Sequence, residues 1–193
     1  MTGHRDMAVT AFAGTRRVAS GALAEVALKA KKFVDRDETV LIFDDATAQP
    51  VEVDFRGSAQ DVQARLKAGT PKTALPEPEA KGPGRPKLGV VAREVTLLPR
   101  HWDWLNSQPG GASVALRKLV DEARHLKSGA DRVRQAQERA YRFMYAVAGN
   151  LAGFKDATRA LFAGDAARFD SAIAKWPKDV RAHAARLANG ALG

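Results

Sequence analysis

The chain has 193 residues, 45% of them hydrophobic and 27% charged, proportions that allow a buried core and exclude a disordered or collagenous polymer. Its 31 lysines and arginines against 22 aspartates and glutamates leave a formal charge of +9, which suits a polyanionic partner. The absence of cysteine excludes a disulfide framework, a thiol nucleophile and every thiolate-ligated metal centre, and fits a cytoplasmic chain.

No membrane segment is expected, because the longest strongly apolar run is residues 40–43, far short of the ~20 residues a spanning helix needs. The first predicted element is a strand at residues 8–13. Arg16-Arg17 and the residues after it have the outline of a twin-arginine export signal, but Glu25 interrupts the apolar stretch and Lys29, Lys31 and Lys32 close it, so an ordinary helix is the reading. Leu23, Val26, Ala27, Ala30 and Val34 recur at helical spacing. Residues 39–43 and 51–55 are β-rich and separated by a polar turn, a hairpin signal. Ser58 and Asp61 have the spacing of a capping box opening a helix that carries Val62 and Leu66. Residues 1–68 thus read as a small α+β unit.

Residues 69–88 contain Pro71, Pro76, Pro78, Pro83 and Pro86 among Gly, Lys and Glu, the composition of a solvated linker. Residues 128–193 read as a bundle of about four short helices. The first opens at Ser128 and Asp131 and ends near Gly149, and the second is 154–163, closed by Gly164. The third is capped by Asp165, and the last starts at Trp176-Pro177. The fold class is α+β. Charge is uneven along it: residues 1–80 hold 11 basic and 12 acidic residues, 81–145 hold 13 and 6, and 146–193 hold 7 and 4. Most of the excess therefore lies in the middle.

That middle part, residues 89–127, has a distinctive order. Residues 89–98 are strand-like, Pro99 can start a helix holding Trp102, Trp104 and Leu105, and Pro109-Gly110-Gly111 makes a turn. Ser113 is then a natural N-cap for a helix with Leu116, Leu119, Val120 and Ala123 on one face and Arg117, Lys118, Asp121 and Arg124 on the other. A lone strand followed by two helices has no partner for its backbone groups unless a second copy supplies one, which implies a homodimer. The segment resembles the ribbon-helix-helix family of DNA-binding proteins. That resemblance implies a two-stranded ribbon in the major groove of duplex DNA, with a phosphate held at the helix N-terminus after the Gly-Gly turn. Either strand register leaves few base-reading side chains: Glu94 and Thr96 face outward in one, Arg93 in the other. Upstream, Lys81-Gly-Pro-Gly-Arg-Pro-Lys87 fits a solvated basic linker. It also resembles an AT-hook core, with Pro83 where the usual arginine stands, which implies minor-groove insertion of Arg85.

Other constellations point less far. Of the two tryptophans around Asp103, Trp102 with Leu105 is expected in the core and Trp104 outside. His4, His101, His125 and His183 are scattered, so no metal site is expected. Asp44, Asp45, Glu52 and Asp54 could converge across a hairpin, but alternation puts Glu52 and Asp54 on a solvent face. No phosphate loop, nucleophile triad or zinc-binding helix motif occurs.

Over most of its length the chain is also similar to the bacterial domain of unknown function 2239. The similarity is carried by Phe43-Asp44-Asp45, Arg56-Gly57-Ser58, Gly84-Arg-Pro-Lys-Leu-Gly89, Val95-Thr-Leu-Leu-Pro-Arg-His-Trp-Asp-Trp104, Gly110-Gly-Ala-Ser113, Leu161-Phe-Ala-Gly-Asp165 and Trp176-Pro177 with Val180-Arg181. It implies a cytoplasmic three-part architecture and supplies no catalytic residues. The resulting expectation is a non-enzymatic, cofactor-free homodimer that binds double-stranded DNA as a transcriptional regulator through Arg85, Lys87, Arg93, Thr96, Ser113, Arg117 and Lys118, its C-terminal helices holding a protein partner or stabilising the dimer. The alternative is an antitoxin-like or scaffold module whose central unit only dimerises.

Overall fold

A computed structural model describes residues 7–68, 91 and 93–192. The chain divides into two compact units, one formed by Met1–Pro71 with Gly129–Gly193 and the other by Lys72–Ser128.

In the first unit a central strand, β1 (Ala8–Ala13), runs antiparallel to β2 (Arg16–Ala22) on one side and to β3 (Val40–Asp44) on the other. Its continuous apolar run reflects burial on both faces. Val9 and Ala11 pack with Leu23, Val26 and Ala30 of helix α1 (Leu23–Val34) and with Ile42, while Phe12 enters a second cluster. That cluster joins Phe43 and Ala48 to Ala140, Phe143 and Met144 of α4 (Gly111–Ala148), to Leu161 of α5 (Phe154–Ala163), to Phe169 and Ile173 of α6 (Ala166–Ile173) and to Val180, Ala184 and Leu187 of α7 (Lys178–Ala188). The sequence segments 1–68 and 128–193 therefore share one core.

Strand β2 carries little apolar signal. It is an edge strand that exposes Arg16, Arg17 and Ser20, and such edges keep polar side chains outward. Residues 51–55, expected as the second half of a hairpin, do not form a ladder. Phe43 and Pro50 make a single bridge and the Val51 amide donates to the Ile42 carbonyl at 2.7 Å, where pairing stops. The predicted alternation survives without it, since Val51, Val53 and Phe55 pack on the α1 cluster while Glu52 and Asp54 are exposed.

Helix α2 (Ala59–Ala68) opens on the expected reciprocal cap: the Ser58 amide donates to Asp61 Oδ2 at 2.8 Å, and the Asp61 amide donates to Ser58 Oγ at 3.2 Å. The hydroxyl and amide of Ser58 hold the Asp61 carboxyl below its ordinary value. Asp165 caps α6 by accepting from the Arg168 amide, and Gly164 closes α5 in the left-handed region. Pro177 stands at the N-cap of α7, and the indole of buried Trp176 donates to the Ala152 carbonyl at 2.8 Å.

One helix break is corrected. Ser128 caps nothing, because α4 is continuous for 38 residues and the Ser128 hydroxyl donates back to the His125 carbonyl. Serine is tolerated inside a helix when its hydroxyl bonds to the preceding turn.

In the second unit, residues 93–98 form no strand. Within the chain they have no sheet partner among the described residues, and a strand needs a neighbour to satisfy its backbone. Pro99 occupies the first position of α3 (Pro99–Ser107), as expected.

Candidate nucleic-acid interface

The turn between α3 and α4 rests on two consecutive glycines in the left-handed region, Gly110 at φ 87° and Gly111 at φ 75°. A Cβ at Gly110 would press on the Val114 side chain at 3.2 Å. This geometry starts α4 at Gly111, earlier than the Ser113 cap read from the sequence. Ser113 lies in the first turn, exposed, and its carbonyl accepts from Arg117 Nε at 3.1 Å. Arg117 and Lys118 are exposed one turn further on. Arg93 and Thr96 are exposed in the segment before α3. Arg85 and Lys87 lie outside the described residues, as does the rest of the AT-hook-like string.

The structure adds Arg100, Arg124 and Lys127 to the exposed cations of this unit. Arg124 approaches Asp121 at 4.0 Å with both side chains open to solvent, so that pair contributes little. Of these, Arg124 was legible in the sequence as part of the charged face of α4, whereas Arg100 and Lys127 carried no signal of their own.

Apolar residues of the same unit are exposed as well. Leu105 is buried, but Trp102 is not, which corrects its assignment to the core; Trp104 is 51% exposed, as its outward placement anticipated. On α4 the expected stripe is open rather than covered: Leu119 and Val120 are 42% and 53% exposed, and Leu126 reaches 83%. Before α3, Val95 and Leu98 are exposed too. A segment of this size seldom leaves so many large apolar side chains in water unless they meet a partner.

The acidic set of the first unit is dispersed. Asp54 is ion-paired with Arg56 at 2.7 Å and faces Arg65 at 3.6 Å, and the hydrogen bonds from the Arg56 side chain and amide hold its carboxyl well below the usual carboxylate range. Such a carboxyl is a poor proton shuttle near neutral pH. Asp45 accepts from the Thr10 hydroxyl at 2.7 Å and from Arg186 at 3.0 Å. Glu52 stays exposed. His183 is buried between the rings of Phe12 and Phe143, with centroids at 5.2 and 4.5 Å. Burial, and then the Arg186 charge, push its imidazole down to about 4.

No helix among the described residues is long and apolar enough to cross a membrane. Neither the curated proteins nor the solved structures contain a significant match to the chain. The family model described as an uncharacterized protein conserved in bacteria (DUF2239) matches residues 8–188, nearly the whole chain, and the protein belongs to that family.

Proposed function

We propose that the protein is a non-enzymatic, duplex-DNA-binding regulator that acts as a homodimer through the unit containing α3 and the start of α4. The observation that carries this reading is the conjunction, on one small unit, of exposed cations with an uncovered apolar stripe. The stripe of Leu119, Val120 and Trp104 suits a second copy of the same unit, since an isologous pairing covers the same patch on both chains. Residues 93–98, without a sheet partner among the described residues, suit the ribbon that such a pairing would build. Arg117, Lys118 and the amides after Gly110-Gly111 suit phosphate contacts, which position a protein on DNA without reading sequence. Arg93 and Thr96 are the base-facing candidates, and Arg85 and Lys87 extend the contact into the minor groove.

The test pairs two measurements on the full chain. Arg117→Glu and Arg85→Ala should weaken duplex binding, the first by at least about tenfold at low salt, while the mass in solution stays that of a dimer. Unchanged DNA affinity in both variants would overturn the reading.

A second reading has its own support. Tyr141, Tyr145 and Phe162 are exposed on α4 and α5, with ring centroids 5.8 to 6.1 Å apart around Tyr141. Exposed aromatic groups mark protein-binding surfaces, and this one suits a protein partner held by the C-terminal helices. An antitoxin-like or scaffold module would form the dimer, retain that partner and ignore DNA.

A further inference from the structure

The turn between β3 and Pro50 is built by its own acids. Asp44 Oδ1 accepts from the Ala46 amide at 2.8 Å, the Thr47 amide at 2.6 Å and the Thr47 hydroxyl at 2.9 Å. Its neighbour Asp45 is occupied by Thr10 and Arg186. Both carboxylates of the turn are thus engaged. Facing the turn are Arg139 and Arg142, three residues apart on one face of α4. Arg139 donates to the Ala46 carbonyl at 3.3 Å and Arg142 donates to the Thr47 carbonyl. Each guanidinium has five N–H donors, so anchoring to a carbonyl fixes the side chain and leaves most of its donors available.

Between them lies a pocket of about 230 Å³, lined also by Thr47, Gln49, Gln135 and Glu138. It is smaller than the ~300–1,000 Å³ of sites for drug-sized ligands. Arg139 Nε is buried with no hydrogen-bond partner among the described residues, so the guanidinium holds the turn with one donor and leaves this one unmet. Glu138 is the one acid in the lining, and it forms no ion pair with either arginine among the described residues. Two half-buried arginines, three neutral polar side chains and one carboxylate leave the pocket net cationic.

We propose that this pocket is a binding site for a small phosphate-bearing anion, gripped by Arg139 and Arg142 with Gln49 and Gln135 at its rim. Planar guanidinium forks match the oxygens of phosphate in pairs, and arginines already pinned to the turn lose little freedom when the anion arrives. The site lies in the first compact unit and is independent of the DNA-binding reading.

Calorimetric titration of the full chain with inorganic phosphate and with pyrophosphate, against chloride at equal ionic strength, tests it. Saturable one-site binding is expected, weakened at least about tenfold by Arg142→Gln. Because Arg142 also anchors the turn, a second variant guards against a folding artefact: Glu138→Gln removes the one carboxylate of the lining, at an exposed position, and should tighten binding about fivefold. Lys175→Glu, at an exposed position outside the lining, should leave the affinity unchanged. The proposal is overturned by the absence of saturable binding to either anion, by affinities that neither pocket variant moves, or by loss of binding in Lys175→Glu, which would make the effect one of general surface charge.

Discussion

At the scale of single residues, backbone geometry and burial set the sharpest constraints. Gly153 has φ 86°, and a Cβ there would stand 2.5 Å from the Ala172 carbonyl oxygen. Neither backbone can yield easily, since Gly153 is the N-cap of α5 and Ala172 lies in α6. Gly153→Ala should therefore cost about 3 kcal/mol or more, seen as a lower denaturation midpoint in urea. His183 gives a pH signature. Its imidazole titrates near 4 in the fold against 6.5 in the unfolded chain, so the unfolded state binds the extra proton between these values and stability falls as pH drops through that window. Roughly 3 kcal/mol is lost across it. The measurement is urea unfolding from pH 7 to pH 4.5, in which His183→Gln should show a shallower decline than the parent. Parallel curves would assign the acid sensitivity to other groups.

At the scale of elements, the helices whose ends carry side-chain or glycine signals were legible in the sequence. Ser58 with Asp61, Gly164 with Asp165 and Pro99 each satisfy or terminate backbone groups locally, so no knowledge of packing is needed to place them. Asp61→Ala should destabilise α2 by about 1 kcal/mol, measurable as a loss of protection from hydrogen exchange. What stayed hidden depends on distant partners. β2 is defined by its pairing to β1 rather than by its own composition, and residues 51–55 alternate like a strand yet pack on the α1 cluster with a single bridge, at Pro50, to β3. Ser128-Gly129 resembles a helix boundary only until the hydroxyl is seen bonding back to His125. Gly129 is helical, with open space where a Cβ would stand. Gly129→Ala should thus stabilise α4 by about 0.5–1 kcal/mol; a loss of stability would restore a break at that point.

At the scale of the whole molecule, periodicity shows that a stripe exists but not which chain covers it. Leu119 and Val120 were legible as the apolar side of an amphipathic helix, and Arg117 and Lys118 as its charged side. Only the structure reveals that the apolar side is open within one chain. The pocket residues Arg139 and Arg142 could be noticed in sequence as two cations three apart, but their shared turn is 93 and 95 residues away. If a second copy covers the stripe, Val120→Glu should convert the dimer to a monomer by light scattering, because a carboxylate cannot be buried unpaired at an apolar interface.

Attraction of the cationic unit to duplex DNA is tested by titrating the full chain against a labelled duplex at rising salt: clear binding is expected at ~50 mM, weakening by at least about a hundredfold by ~200 mM as counterions are released less favourably. No binding at ~50 mM salt, where electrostatic attraction is strong, would contradict it.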